Sequence, residues 1–114
     1  AVLPYAGRVK ESGVSVLNAP GNDLIAATAL AAAGWQLVLF TTGRGTPFST
    51  FVPTLKIATN SALAQKKSGW IDFNAEPMDA DALWSLILRT ANGDYRAKSE
   101  DLREIAFFKT GVTL

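Results

Sequence analysis

A glycine-rich loop at residues 41–47 carries the residues best suited to chemistry in this 114-residue sequence. In order, it reads Thr41, Thr42, Gly43, Arg44, Gly45, Thr46 and Pro47. Glycines let the backbone approach a ligand and present N–H donors, and threonine hydroxyls add short, adjustable donors. An arginine binds carboxylates or phosphates through its planar guanidinium. We therefore predict an anion-binding loop, the alternative being a tight turn with a solvent-facing Arg44. The loop matches neither the Walker P-loop nor the dinucleotide-binding fingerprint.

A second polar group follows at the end of the next apolar run, at Lys56, Thr59, Asn60 and Ser61. The carboxyl ends of neighbouring parallel strands meet at one edge of a sheet, so we expect Asn60 to lie beside the Arg44 loop. We predict that Lys56, Thr59 and Asn60 line the same substrate-binding site. The alternative is a helix cap at Asn60 or Ser61 with a solvated Lys56.

Four carboxylates, at Asp72, Glu76, Asp79 and Asp81, raise the question of a metal site. A site built from oxygen ligands needs several of them to converge. Asp79 and Asp81 fit better in the first turn of a helix, where the helix dipole favours negative charge. Asp72 alternates with apolar neighbours and is expected to face away from the core. We therefore predict that this chain holds no metal by itself.

The composition excludes several classes of chemistry. The sequence contains no Cys and no His, so it offers no disulfide, no thiolate or imidazole metal ligand and no Ser-His-Asp triad. Its net charge of +1 provides no basic field for nucleic acid. An enzyme made from this chain alone would have to use carboxylates, Lys, Tyr and Arg.

The stretch at residues 24–43 has no charged residue and is long enough to be considered as a membrane span. We reject that interpretation because the stretch is mostly Ala and other small residues and is interrupted by Gly34 and Gln36. The first residues also lack the basic and apolar regions of a signal peptide. The expectation is a soluble cytoplasmic domain that uses no membrane.

Apolar runs alternate with helix signals along the rest of the chain. The predicted strands cover residues 14–17, 35–42, 54–59 and 70–74, and the predicted helices cover 23–33, 61–67 and 79–92. Residues 1–12 are predicted to be an extended lead-in, 99–102 a helical turn and 105–108 a short strand. The order predicts a single α/β domain over residues 1–114, a small three-layer Rossmann or flavodoxin-like fold with a mainly parallel sheet.

Three further expectations concern packing. The run at 37–40 is fully apolar, which is typical of a strand buried on both faces of a parallel sheet. Trp35, Trp70 and Trp84 are expected to form core or helix–sheet contacts. Lys66 and Lys67 are expected to form a solvated helix end.

Two long motifs resemble a known family. FTTGRGTPF at residues 40–48 and PTLKIATN at residues 53–60 are similar to the C-terminal region of the altronate and galactarate dehydratases, a family that also includes the large subunit of sulfolactate sulfo-lyase. Shorter motifs, NAPG at 18–21, WIDFNA at 70–75 and FKTGVTL at 108–114, fit the same family. The similarity extends over nearly the whole chain.

The resemblance implies that the chain is the last part of a larger sugar-acid dehydratase, a hydro-lyase that converts a hexonate or hexarate to a 2-keto-3-deoxy acid. It implies a divalent metal, Fe²⁺ or Mn²⁺, whose ligands lie outside this chain. The implied partners are a small sugar acid and the remaining domains of the same enzyme, and homo-oligomerisation stays open. Thr41, Thr42, Gly43, Arg44, Gly45, Thr46, Lys56, Thr59 and Asn60 would bind substrate; the catalytic base is not identified.

Two alternatives of other classes stay open. One is a stand-alone flavodoxin-like module that binds an anion or a nucleotide without catalysis. The other is a structural assembly domain whose uncharged stretch forms a subunit interface.

Overall fold

The computed structural model describes residues 1–106, which form five short strands and three helices. The strands are β1 (Val2–Leu3), β2 (Val16–Leu17), β3 (Val38–Thr42), β4 (Thr54–Ala58) and β5 (Phe73–Asn74). The helices are α1 (Asp23–Ala33), α2 (Ser61–Lys66) and α3 (Ala80–Ala91), followed by a 3₁₀ turn at Glu100–Leu102. The predicted limits of α1, residues 23–33, are confirmed. The helical turn predicted at residues 99–102 is also confirmed, as this 3₁₀ turn.

The strands form two sheets in which every pairing is parallel. The central sheet has the order β3-β4-β5, and a small separate sheet pairs β1 with β2. Five residue pairs join β3 to β4, from Val38 opposite Thr54 to Thr42 opposite Ala58. Their carboxyl ends therefore lie side by side, and the chain segments that leave them begin next to each other.

Helices cover the two faces of the central sheet. Ala27 of α1 clusters with Val38 and Phe48, whereas Leu86 of α3 clusters with Leu55 on β4. Because Val38 faces the same side as its register partner Thr54, and adjacent side chains on β4 alternate, α1 and α3 lie on opposite faces. The predicted α/β class with a parallel sheet is confirmed.

Each helix is preceded by a residue whose side chain accepts a hydrogen bond from the first turn of the helix. Asn22, Asn60 and Asp79 accept from the backbone N–H groups three residues further on, at 3.1, 2.8 and 3.0 Å. Such caps satisfy N–H groups that a helix start would otherwise leave unpaired.

Several packing expectations are wrong. Leu39 is 44% exposed, so β3 is not buried on both faces. The reason lies in the position of α3, which packs over β4 and leaves Leu39 open. Trp84, on α3, is 60% exposed and does not form the expected core contact. The predicted extended lead-in contains β1, which pairs with β2. Ile105 and Ala106 belong to no strand, and the remainder of the predicted strand at 105–108 lies outside the described residues.

Candidate anion-binding site

The side chain of Thr42, at the end of β3, closes the predicted anion-binding loop from within. Thr42 is buried, and its Oγ1 accepts the backbone N–H of Gly45 at 2.9 Å and that of Arg44 at 3.3 Å. A threonine commonly organises a tight turn in this way. The Gly45 N–H, expected to face an anion, is therefore already bonded inside the loop. The Arg44 side chain lines the cleft described below and forms no ion pair within residues 1–106, so it is available to meet a ligand.

The two residues that follow β4 form hydrogen bonds to the start of the loop. Thr59 donates its backbone N–H to the carbonyl of Thr42 at 3.0 Å, and its hydroxyl donates to the same oxygen at 3.3 Å. Asn60 caps α2 with its Oδ1 and donates from Nδ2 to the carbonyl of Gly43 at 3.4 Å. The structure thus brings Asn60 and the Arg44 loop together, as the parallel arrangement of β3 and β4 predicts.

A cleft of about 290 Å³ lies between this loop and α2. It is lined by Gly43, Arg44, Asn60, Ala62, Leu63, Lys66 and Lys67. Arg44 and Lys66 are exposed, and within residues 1–106 neither of them forms an ion pair. Two unpaired cations at one opening favour an anionic ligand.

None of the four predicted threonines lines this cleft, and two of them also take no part in the contacts between β3 and β4 that hold the loop. Thr41 is exposed and precedes the buried Thr42 on β3, so its side chain lies on the other face of the sheet. The hydroxyl of Thr46 is 3.5 Å from Oδ2 of Asp23 at the start of α1. A direct role for Thr41 or Thr46 in binding stays a prediction.

Lys56 has no exposed surface and does not line the cleft. Its ammonium donates to the carbonyl of Phe48 and, at 3.3 Å, to the hydroxyl of Ser99. It also lies 4.2 Å from the ring centroid of Phe48. Burial lowers the pKa of Lys56 from 10.5 to about 8, an effect that the charge of Asp72 partly opposes. The alternative interpretation of a solvated lysine is therefore wrong, and its role in substrate binding stays a prediction.

Asp72 faces a hydrogen-bond network instead of pointing away from the fold. Its Oδ1 accepts from the Tyr95 hydroxyl at 2.6 Å and from the backbone N–H of Lys98 at 2.9 Å, while Oδ2 accepts from the backbone N–H of Lys56 at 2.8 Å. Burial, helped by this carboxylate, raises the pKa of Tyr95. Asp72 therefore joins β4 to the segment after α3.

The other carboxylates considered for a metal are also engaged. Glu76 accepts the Ser61 hydroxyl at 2.6 Å, which lowers the pKa of Glu76, and Asp79 caps α3. Among residues 1–106, no three carboxylates converge as metal ligands would. These donors do not fit a divalent metal ion.

The roles of two lysines were not expected from the sequence. Lys66 lines the cleft, and the Lys67 ammonium donates to the carbonyls of Arg44 and Gly45. The sequence offers one signal for this: Leu63 and Lys67 are four residues apart and share a helix face, directed toward the loop that Asn60 also contacts.

Comparison with known proteins supports the family that the motifs of this loop indicate. Residues 1–113 match the model of the family described as D-galactarate/altronate dehydratase, C-terminal. The chain belongs to this family. It is 50% identical to altronate dehydratases of Bacillus subtilis (strain 168) and Escherichia coli (strain K12), in each case over 99% of this chain and 25% of the relative.

A galactarate dehydratase (L-threo-forming) of Escherichia coli (strain K12) is 36% identical over 65% of this chain and 14% of its own length. The chain thus spans about a quarter of the altronate dehydratases that it matches. The resemblance drawn from the motifs is confirmed. Among residues 1–106, no helix of this family member has the length and apolar character needed to cross a bilayer.

Proposed function

We propose that this chain forms the C-terminal part of a hydro-lyase acting on a hexonate or hexarate, such as altronate or galactarate, and that its cleft binds a substrate carboxylate. One observation carries the proposal: the Arg44 guanidinium stands at the cleft without an ion-pair partner among residues 1–106, on a loop whose backbone is bonded internally. The 50% identity to altronate dehydratases supports the choice of substrate class.

The proposed role of Arg44 follows from the chemistry of dehydration. A base removes the proton from the carbon next to the carboxylate, and negative charge then develops on the carboxylate oxygens. The hydroxyl on the β-carbon takes up a proton and leaves as water, while the α-carbon keeps its own hydroxyl, and the resulting enol tautomerises to a 2-keto-3-deoxy acid. A guanidinium that binds both carboxylate oxygens would stabilise this developing charge more than it stabilises the substrate. Lys66, exposed at the same cleft, would add a second positive charge.

The rest of the catalytic apparatus is proposed to come from elsewhere in the enzyme. No three carboxylates converge among residues 1–106, and we propose that the Fe²⁺ or Mn²⁺ ion expected for the family is held by residues outside this chain. The catalytic base is assigned to the same remaining domains, and this piece is not expected to be active alone. The sugar acid and those domains are the proposed partners; assembly into homo-oligomers stays open.

The test is Arg44→Ala in the full-length enzyme that carries this chain, with turnover of altronate and galactarate measured separately. We expect kcat/KM to fall about 100-fold, the usual order for loss of one donor to a developing oxyanion. Arg8→Ala is the matched control, since Arg8 is also exposed and has no ion pair within residues 1–106. Unchanged kcat/KM in Arg44→Ala would remove Arg44 from the mechanism.

A binding experiment separates catalysis from the alternative of a nucleotide-binding module. Galactarate, ATP and FMN are titrated against the 114-residue chain and its Arg44→Ala variant. Binding of galactarate that depends on Arg44 supports the proposal, whereas tight binding of ATP or FMN together with no binding of galactarate supports the module.

A further inference from the structure

We propose that Lys67 is a positioning residue, which holds the loop in the conformation that presents Arg44 to the cleft. The ammonium of Lys67 donates to the carbonyl of Arg44 at 2.9 Å and to that of Gly45 at 3.3 Å. The loop and the lysine are more than twenty residues apart in sequence, so this contact belongs to the tertiary structure. The effect on turnover rests on the proposed function, whereas the effect on the loop can be measured without it.

The carbonyl contacts complete the bonding of the loop backbone. On one side, Thr42 Oγ1 accepts the N–H groups of Arg44 and Gly45. On the other side, Lys67 binds the two carbonyl oxygens of the same residues. All four polar backbone atoms of Arg44 and Gly45 therefore have partners. Of these two residues, the Arg44 guanidinium is the polar group left to bind a ligand, and the backbone that carries it is already ordered before the ligand arrives.

The aliphatic stem of Lys67 packs closely against Gly45. Gly45 has φ 81°, and a Cβ placed there would lie 2.8 Å from Cδ of Lys67 and 3.1 Å from Cδ1 of Leu63. Position 45 therefore needs glycine both for its backbone angle and for the space that the lysine stem occupies. On its other side the Lys67 ammonium lies 5.6 Å from the ring centroid of Trp70. This contact with the indole helps to fix the direction of the side chain.

Lys67 is also bonded to α2, of which it forms the C-terminal cap. Its backbone N–H donates to the carbonyl of Leu63 at 2.9 Å, at the C-terminal end of the helix that Asn60 caps at the other end. Asn60 binds the carbonyl of Gly43 and Lys67 binds the next two carbonyls, so α2 contacts three successive carbonyls of the loop from its two ends. The loop and α2, which together form the cleft, are in this way held at a fixed separation.

Trypsin provides a test that does not depend on activity, because it cleaves after Arg44 when the loop opens. In the full-length enzyme, we expect Lys67→Met to raise the rate of cleavage between Arg44 and Gly45 about tenfold, the change in open population expected for one net hydrogen bond. Lys67→Arg keeps the donors and should restore slow cleavage. Lys66→Met removes a charge from the adjacent residue and should leave the rate unchanged.

A second variant and a kinetic measurement guard against trivial explanations. Gly45→Ala forces its new Cβ against Lys67 and should also raise the cleavage rate, with the thermal midpoint recorded to show that the variants fold. In turnover assays, Lys67→Met should raise KM more than it lowers kcat, because the loop must be ordered when substrate binds.

Two results would overturn the inference. One is a cleavage rate in Lys67→Met equal to that of the parent; the other is an equal increase in Lys66→Met, which would make charge and not position the cause. If cleavage responds as expected but Arg44→Ala has unchanged turnover, the loop contact stands and the proposed function fails.

Discussion

Replacement of the buried Lys56 by methionine should abolish a pH dependence of stability that the parent chain shows. Lys56 has no exposed surface, and burial lowers its pKa from 10.5 to about 8. Between these two pH values the unfolded chain holds a proton on Lys56 that the folded chain has largely released. The free energy of unfolding therefore rises with pH across this interval. Methionine keeps the length of the apolar stem and cannot titrate.

The size of the effect follows from the two pKa values. With 10.5 in the unfolded chain and about 8 in the folded chain, the free energy of unfolding should rise by about 2 kcal/mol between pH 8 and pH 10. Tyr95 acts in the opposite direction above about pH 9, because its pKa is raised from 10.0 in the folded chain, and at pH 10 it removes only about 0.4 kcal/mol of this gain. The lysine therefore dominates between pH 8 and pH 10, and the lower half of this interval isolates it.

Urea unfolding of the 114-residue chain at pH 8, 9 and 10, followed by tryptophan fluorescence, measures this dependence. The parent and Lys66→Met, which removes an exposed lysine, should both gain about 2 kcal/mol, and Lys56→Met should show no gain. A flat parent would show that Lys56 titrates normally. A rise that persists in Lys56→Met would assign the pH dependence to another group.

Two further predictions concern the network around Asp72. Relative to Tyr95→Phe, the parent should lose stability between pH 10 and pH 11, since the raised pKa of Tyr95 means that the folded parent keeps a proton that the unfolded chain releases. Urea unfolding of both proteins at the two pH values checks this, and equal changes in the parent and the variant would contradict it. Asp72→Asn should lower the free energy of unfolding by about 2–3 kcal/mol, because three donors lose a charged acceptor. Asp94→Asn, at an exposed site, is the control, and equal losses in the two variants would argue against the network.

The order of elements from β2 to α3 could be predicted because each of them is marked by a local sequence signal. The asparagine at position 22 and the glycine at position 34 mark the two ends of α1, and both act in the structure as expected, with Gly34 at φ 119°. The exposure of Leu39 could not be predicted in this way. An apolar run indicates that a strand can be buried on both faces, but whether a helix covers it depends on where α3 packs.

The candidate site was predictable in position and not in detail. Parallel pairing of β3 with β4 is enough to place Asn60 beside Gly43, and the sequence carries the signals for both strands. The bonding of the Gly45 N–H to Thr42 depends on a local turn that several loop sequences could form. The burial of Lys56 depends on Ser99, which is distant in sequence. Such long-range partners leave no periodic signal in one sequence.

The two lysines that do not follow the sequence-based expectation have a common physical role. Parallel strands are usually joined by a helix that packs on the sheet, whereas residues 43–53 join β3 to β4 without one. A long loop leaves carbonyl groups without the partners that a helix would supply. Lys67 binds carbonyls at the start of this connection and Lys56 binds the carbonyl of Phe48 near its middle. Because these two cations are bound to backbone oxygens, Arg44 and Lys66 are, among the cleft-lining residues of the described part of the chain, the cations left to attract the proposed substrate anion.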